Sequence, residues 1–89
     1  MARIRVPAVL RPLVDGSAVV ETDAATLGDL PRSIRTAHPK LAARVFAEDG
    51  GFQEFVNVFL GEEDARHLDP ATPLDPRAEL VLLPAVSGG

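Results

Sequence analysis

The sequence predicts an α+β fold, in which a mixed sheet of about five strands packs against one main helix. An alternating strand and a turn come first, a helix-length apolar pattern follows, and strand-like apolar runs fill the second half. A helix with one apolar stripe must bury it, so this order places the helix on one face of the sheet. With 89 residues, the chain is one domain with a single modest core.

The N-terminal quarter is predicted to be a β-hairpin. Charged and apolar residues alternate from Arg3 to Val6, which predicts a half-buried strand reaching about position 10, with Arg3 and Arg5 on its solvated side. Asp15-Gly16 is a strong hairpin signal, and residues 18–22 supply the returning strand. The first two strands should therefore pair antiparallel.

The main helix is predicted from apolar residues at helical spacing, and two starts remain open. Thr26 could cap it, or Asp29 could cap it and place Pro31 in the first turn. The helix should weaken at His38, because the residue before a proline disfavours helical angles, and a second short helical piece could begin at Pro39.

The second half of the chain is predicted to supply three further strands. Residues 55–60 are the most strand-like part, and residues 65–67 are expected to form a brief edge strand. Residues 80–83 form the closing strand, which Pro84 ends because proline lacks a backbone donor. Alternation in the first of these strands puts Val56, Val58 and Leu60 on one face and Phe55, Asn57 and Phe59 on the other.

Composition argues against several classes of function. The net charge of −4 with no basic cluster makes nucleic acid a poor partner. The chain has no cysteine, and His38 and His67 are isolated in sequence, so we expect no metal site. Arg3, Arg5 and Pro7 interrupt any signal-like apolar run and no segment has membrane-spanning length, so we expect a cytoplasmic protein without membrane contact.

The C-terminal end carries the functional signal. We expect residues 1–83 to form the globular domain and residues 84–89 to form an extended, flexible tail ending in Gly88-Gly89. The Gly89 carboxylate is ionised at neutral pH and becomes electrophilic only as a mixed anhydride with a nucleotide. Six extended residues span at most about 20 Å, which is enough to cross the mouth of another enzyme's active site.

Hairpin, helix and closing strand follow each other in the order of the ubiquitin-like β-grasp, in which the last strand pairs in parallel beside the first. Three stretches, residues 55–59, 62–66 and 82–89, resemble the MoaD/ThiS family of ubiquitin-like sulfur-carrier proteins. Within that family, residues 7–12 and the length are most similar to the CysO branch. The resemblance covers essentially the whole chain, and its most specific part is the C-terminal end.

The resemblance implies a role as a protein cosubstrate without an active site of its own. A partner adenylyltransferase of the MoeB/ThiF type, related to ubiquitin-activating enzymes, would use ATP and Mg²⁺ to adenylate Gly89. A sulfur donor would then displace AMP and leave a thiocarboxylate. That sulfur would pass to an acceptor enzyme that makes cysteine or another sulfur-containing metabolite. The carrier itself would bind no cofactor and would be a monomer when free.

The resemblance also implies which residues meet these partners. The tail residues would thread the partner's channel: Pro84, Ala85, Val86, Ser87 and Gly88. A patch on the sheet would face the partner: Phe55, Phe59, Val81 and Leu83. Two alternatives to the carrier remain, namely the small subunit of molybdopterin synthase, and a ubiquitin-like protein modifier or interaction domain.

Overall fold

A computed structural model describes residues 1–54 and 56–84 of the chain. The described part contains five strands and two α-helices, joined by turns and short 3₁₀ helices. The elements are β1 (Ala2–Arg5), β2 (Val19–Thr22), α1 (Leu30–Ala37), α2 (Pro39–Val45), β3 (Val56–Leu60), β4 (Glu63–Asp64) and β5 (Glu79–Pro84).

The five strands form one mixed sheet in the order β2-β1-β5-β3-β4. The closing strand β5 lies at the centre, parallel to β1 and antiparallel to β3, and the register places Leu80 beside Ile4 on one side and beside Leu60 on the other. The predicted α+β class and the parallel pairing of the last strand with the first are both confirmed.

The N-terminal hairpin is confirmed, but its first strand is shorter than predicted. β1 ends at Arg5 instead of continuing to about position 10, and Ala8–Val14 is a 3₁₀ helix that follows Pro7. Its buried side chains Leu10 and Val14 explain the difference, because this segment folds over the end of the core instead of extending the ladder. The predicted turn at Asp15-Gly16 is present, with φ angles of 55° and 84°.

The two candidate starts of the main helix are both used. Thr26 Oγ1 accepts a hydrogen bond from the backbone N–H of Asp29 at 3.3 Å and caps a 3₁₀ turn over Leu27–Asp29. Helix α1 then begins at Leu30 with Asp29 as its cap residue and Pro31 in its first turn, where a proline loses no helical hydrogen bond. The predicted break at His38 and the second helical piece from Pro39 are confirmed, because α1 ends at Ala37 and α2 begins at Pro39.

Two predicted boundaries in the C-terminal half are corrected. Residues 65–67 are a 3₁₀ helix rather than an edge strand, because the Asp64 side chain accepts the N–H of Arg66 and turns the chain. The edge strand is β4, two residues earlier. Strand β5 is one residue longer at each end than predicted, and it includes Pro84, which pairs with Val56. The pairing with β1 ends at Val81, so proline costs no hydrogen bond on that side.

The core lies between the helices and one face of the sheet. Inward-facing side chains of β1, β3 and β5 meet those of α1 and α2. Among the most buried are Ile4, Val58 and Leu80 from the strands and Ile34 and Leu41 from the helices. Thr22 and Ser33 are the polar residues buried in the described part of the chain. The Thr22 hydroxyl donates to Ser33 Oγ at 2.6 Å, which joins β2 to α1 and satisfies both groups.

We expect Leu80→Ala to lower the free energy of unfolding by about 2–5 kcal/mol, because Leu80 is fully buried at the centre of the sheet. Val9→Ala is the matched control, since Val9 is 65% exposed and its truncation should change stability by less than about 0.5 kcal/mol. Urea denaturation followed by circular dichroism measures both. Equal losses in the two variants would contradict the central position of β5.

Candidate functional site

The face of the sheet opposite the helices carries the predicted partner-facing residues. Leu80 and Leu82 of β5 point into the core, so Val81 and Leu83 lie on the opposite, open face. Phe59 pairs with Val81, and Asn57 pairs with Leu83, which is 45% exposed. Three of the four predicted patch residues are therefore neighbours on one face, and the fourth, Phe55, lies outside the described residues.

On the open face, the outward side chains of β5 change from charged to apolar along the strand. Arg5 Nε donates to the Glu79 carboxylate in an exposed ion pair at the start of β5, and Arg3 lies between Glu79 and Glu21 in the register. Two and four residues further along β5 come Val81 and Leu83. The surface therefore changes from paired charges to apolar side chains in the direction in which the chain leads to its C-terminus.

The base of the predicted tail is fixed by strand pairing. Pro84 is the last described residue at this end and pairs with Val56 in β3. Ala85, Val86, Ser87, Gly88 and Gly89 lie outside the described residues, so their predicted roles stay predictions. The described residues place Pro84, which residues 85–89 follow in sequence, at the carboxyl end of the central strand.

Arg66 supports this end of the sheet and was not singled out from sequence. Its guanidinium donates to the backbone carbonyl oxygens of Gln53 and Val56, and so closes the loop that leads into β3. Val56 pairs with Pro84, so the Arg66 hydrogen bond to Val56 stabilises the position in β3 beside which Pro84 lies. The available sequence signal is an arginine two residues after the Asp64 cap, but nothing in the sequence identifies its two carbonyl acceptors, 13 and 10 residues away.

The strongest charge cluster lies on the helical side of the molecule. Arg32 donates to Asp29 at 2.7 Å and to Asp23 at 3.1 Å. The hydrogen bond from Arg32 holds the pKa of Asp29 below its usual 3.8, and hydrogen bonds from Ser33 and then Arg32 lower the pKa of Asp23. These contacts join the start of α1 to the end of β2. The cluster supports the helix packing and lies away from the open face.

Residues 1–54 and 56–84 contain no group of three or more histidine, cysteine, aspartate or glutamate side chains that could hold a metal ion. His38 is half-buried beside Pro39, and His67 is exposed on the 3₁₀ helix. In the same described part, neither helix has the length or the apolar character needed to cross a membrane.

The strand order, the parallel pairing of the terminal strands and the helices on one face define a ubiquitin-like β-grasp protein. A family model described as the ThiS family matches residues 4–89, which is nearly the whole chain and includes the terminal glycines. The chain therefore belongs to the ThiS family, within the wider group of ubiquitin-like sulfur carriers and modifiers.

The similar proteins include both a modifier and CysO proteins. Small archaeal modifier protein 1 of Haloferax volcanii is 42% identical over 79 residues, which cover 85% of this chain and 87% of the relative. CysO in the BexX/CysO complex of Amycolatopsis orientalis matches with a TM-score of 0.85 at 28% identity over the full length of both chains. CysO of Mycobacterium tuberculosis matches with a TM-score of 0.83 at 26% identity, covering 97% of this chain and 100% of that one.

We expect Arg66→Ala to destabilise the domain by about 1 kcal/mol, because two backbone carbonyls lose a charged donor at a site that water partly reaches. It should also speed amide hydrogen exchange in β3, measured by NMR. Arg44→Ala is the control, since Arg44 is exposed on α2 and makes no hydrogen bond or ion pair within the described part of the chain. Unchanged exchange in β3 of the Arg66 variant would contradict the bracing role.

Proposed function

We propose that this chain is a sulfur carrier whose Gly89 carboxylate is adenylated by a partner enzyme and then converted to a thiocarboxylate. The observation that carries the proposal is the family match over residues 4–89, which includes the C-terminal Gly88-Gly89. The thiocarboxylate supplies sulfur to a biosynthetic enzyme that makes cysteine or another sulfur-containing metabolite. The chain acts as a protein cosubstrate, and the activating partner supplies ATP and Mg²⁺.

The chemistry of the end group supports this role. A carboxylate resists nucleophilic attack because it is ionised at neutral pH. In adenylation one carboxylate oxygen attacks the α-phosphorus of ATP and pyrophosphate leaves. A sulfur nucleophile then attacks the carbonyl carbon, and AMP leaves together with that oxygen. Glycine at positions 88 and 89 leaves the reacting carbonyl without neighbouring β-carbons, so that it can enter a narrow pocket on the partner.

The open face supports docking to a partner. Leu83 is exposed, lies one residue before the tail base and adjoins the partly buried pair of Val81 and Phe59. An enzyme that holds this apolar patch would also hold the start of the tail at a fixed position. A similar protein, the CysO of Amycolatopsis orientalis, forms a complex with BexX. For this chain we propose an adenylyltransferase of the MoeB/ThiF type as the first partner.

A protein modifier is the second candidate, favoured by the 42% identity to small archaeal modifier protein 1. In that role the activated Gly89 would be transferred to an amine of a target protein instead of to sulfur. Both functions use the same adenylated end group and differ in the nucleophile that attacks it. They are therefore separated by the product: a free thiocarboxylated chain in one case and an isopeptide-linked adduct in the other.

The tail is tested with the activating enzyme, ATP, Mg²⁺ and sulfide. We expect intact mass spectrometry to show one sulfur-for-oxygen exchange at Gly89 in the natural chain. Deleting Gly88 and Gly89, or adding a bulky residue after Gly89, should abolish the exchange and leave the melting temperature unchanged, because the end group reacts and the body only carries it. Sulfuration of either variant would refute the carrier proposal.

The open-face patch is tested by Leu83→Asp. We expect the Kd for the activating enzyme to rise by about tenfold, equivalent to about 1.4 kcal/mol, because a charge enters an apolar contact beside the tail base. Val19→Asp is the matched control, since Val19 is also exposed on the open face but lies two strands away from β5. Isothermal titration calorimetry measures both, and equal effects of the two changes would exclude a specific patch at Leu83.

A further inference from the structure

Arg5 lies in the same row of the sheet as the apolar patch on the open face. The strand registers place one residue of each strand side by side in this row: Val19, Arg5, Val81, Phe59 and Asp64. Residues that are directly opposite each other on neighbouring strands point to the same face of a sheet, so these side chains share the open face. A partner that covers Val81 and Phe59 therefore also meets Arg5 on β1.

The Arg5 guanidinium uses only part of its hydrogen-bonding capacity within the domain. Its Nε donates to Oε1 of Glu79, whereas its two Nη nitrogens make no hydrogen bond with residues 1–54 or 56–84. The Arg5 side chain is 61% exposed, so water reaches these nitrogens in the free protein. Water therefore satisfies the N–H groups that Glu79 leaves without an acceptor.

Docking of a partner changes the surroundings of these N–H groups. A surface that covers Val81 also removes water from the neighbouring position on β1, and a buried donor without an acceptor costs free energy. A carboxylate on the partner prevents this cost, because its two oxygens match two N–H groups of a guanidinium in a charge-assisted pair. The Arg5 position therefore favours a partner with an acidic side chain beside its apolar contact.

Arg3 lies on the same face of β1 but in different surroundings. In the register it is opposite Glu21 on one side and Glu79 on the other, so carboxylates of the domain itself flank it. Arg5 has the apolar Val81 beside it in β5 instead. The two arginines share a strand and a face, and they differ in their distance from the patch. Arg3 is therefore the matched control for Arg5.

We propose that the activating partner places a carboxylate against Arg5 when its surface covers the patch on the open face. This inference rests on the proposed function, because it describes the docking step that precedes adenylation. The docking surface of the partner combines an apolar contact for Val81 and Phe59 with an aspartate or glutamate side chain beside it. Arg5 is then a specificity-determining residue, since a partner with a cation or an apolar group at this position repels the guanidinium or leaves it unpaired.

The experiment compares the Kd of the natural chain and three variants for the activating enzyme by isothermal titration calorimetry. We expect Arg5→Gln to raise the Kd by about tenfold, because it removes the cation from the contact. Glu79→Gln breaks the same internal ion pair but keeps the cation, so it should not raise the Kd. Arg3→Gln should change the Kd by less than about twofold, since an exposed charge away from the patch contributes little.

The dependence on salt identifies the charge of the acceptor. Between low and high NaCl, the Kd of the natural chain should rise more steeply than that of Arg5→Gln, because salt screens an ion pair at the rim of an interface. Equal slopes would indicate a neutral acceptor and overturn the inference. An unchanged Kd in Arg5→Gln would also overturn it, and so would an equal rise in Arg5→Gln and Glu79→Gln, which would assign the effect to the internal ion pair.

ATP–pyrophosphate exchange separates the failure of this inference from the failure of the proposed function. Exchange by the natural chain together with any of these contrary results would leave the carrier proposal intact. If the natural chain neither binds the enzyme nor supports exchange, the proposed adenylation is refuted, and this inference with it.

Discussion

The structure depends on the pairing of β5 between β1 and β3. This strand joins the N-terminal hairpin to the C-terminal strands, because it is hydrogen-bonded to one on each side. Its inward side chains Leu80 and Leu82 are buried among residues of both halves and both helices. A one-residue shift in register would move them to the open face, so burial fixes the register strongly. The same register also fixes the position of Pro84, the last described residue of the chain.

The two faces of this strand separate stability from recognition. One face buries leucines against the helices, and the other presents Val81 and Leu83 beside Phe59. The outer face can therefore interact with a partner without any rearrangement of the core. Glu79 at the start of β5 pairs with Arg5 on the same face, so the outward apolar side chains of β5 begin only at Val81. Such an arrangement fits the proposed role, in which the body stays folded while the end group reacts.

The sequence predicted an element best where a single local pattern, such as alternation or helical spacing, determines its structure. Alternation in β3 gave the buried pair Val56 and Val58, and the spacing of the apolar residues gave α1. At the start of α1, both candidates occupy cap positions in succession: the Thr26 side chain caps the 3₁₀ turn, and Asp29 directly precedes α1 without a capping hydrogen bond from its side chain. The family resemblance, carried mainly by the C-terminal residues, is confirmed by the match over residues 4–89.

Sequence reasoning failed where tertiary contacts override local pattern. Leu10 and Val14 belong to a 3₁₀ helix because the end of the core needs covering, and alternation up to Val6 does not reveal that need. The turn at Asp64 depends on one side-chain hydrogen bond, which replaced the expected strand by a 3₁₀ helix. Arg66 acts through backbone carbonyls, which every residue has, so its partners have no sequence signature.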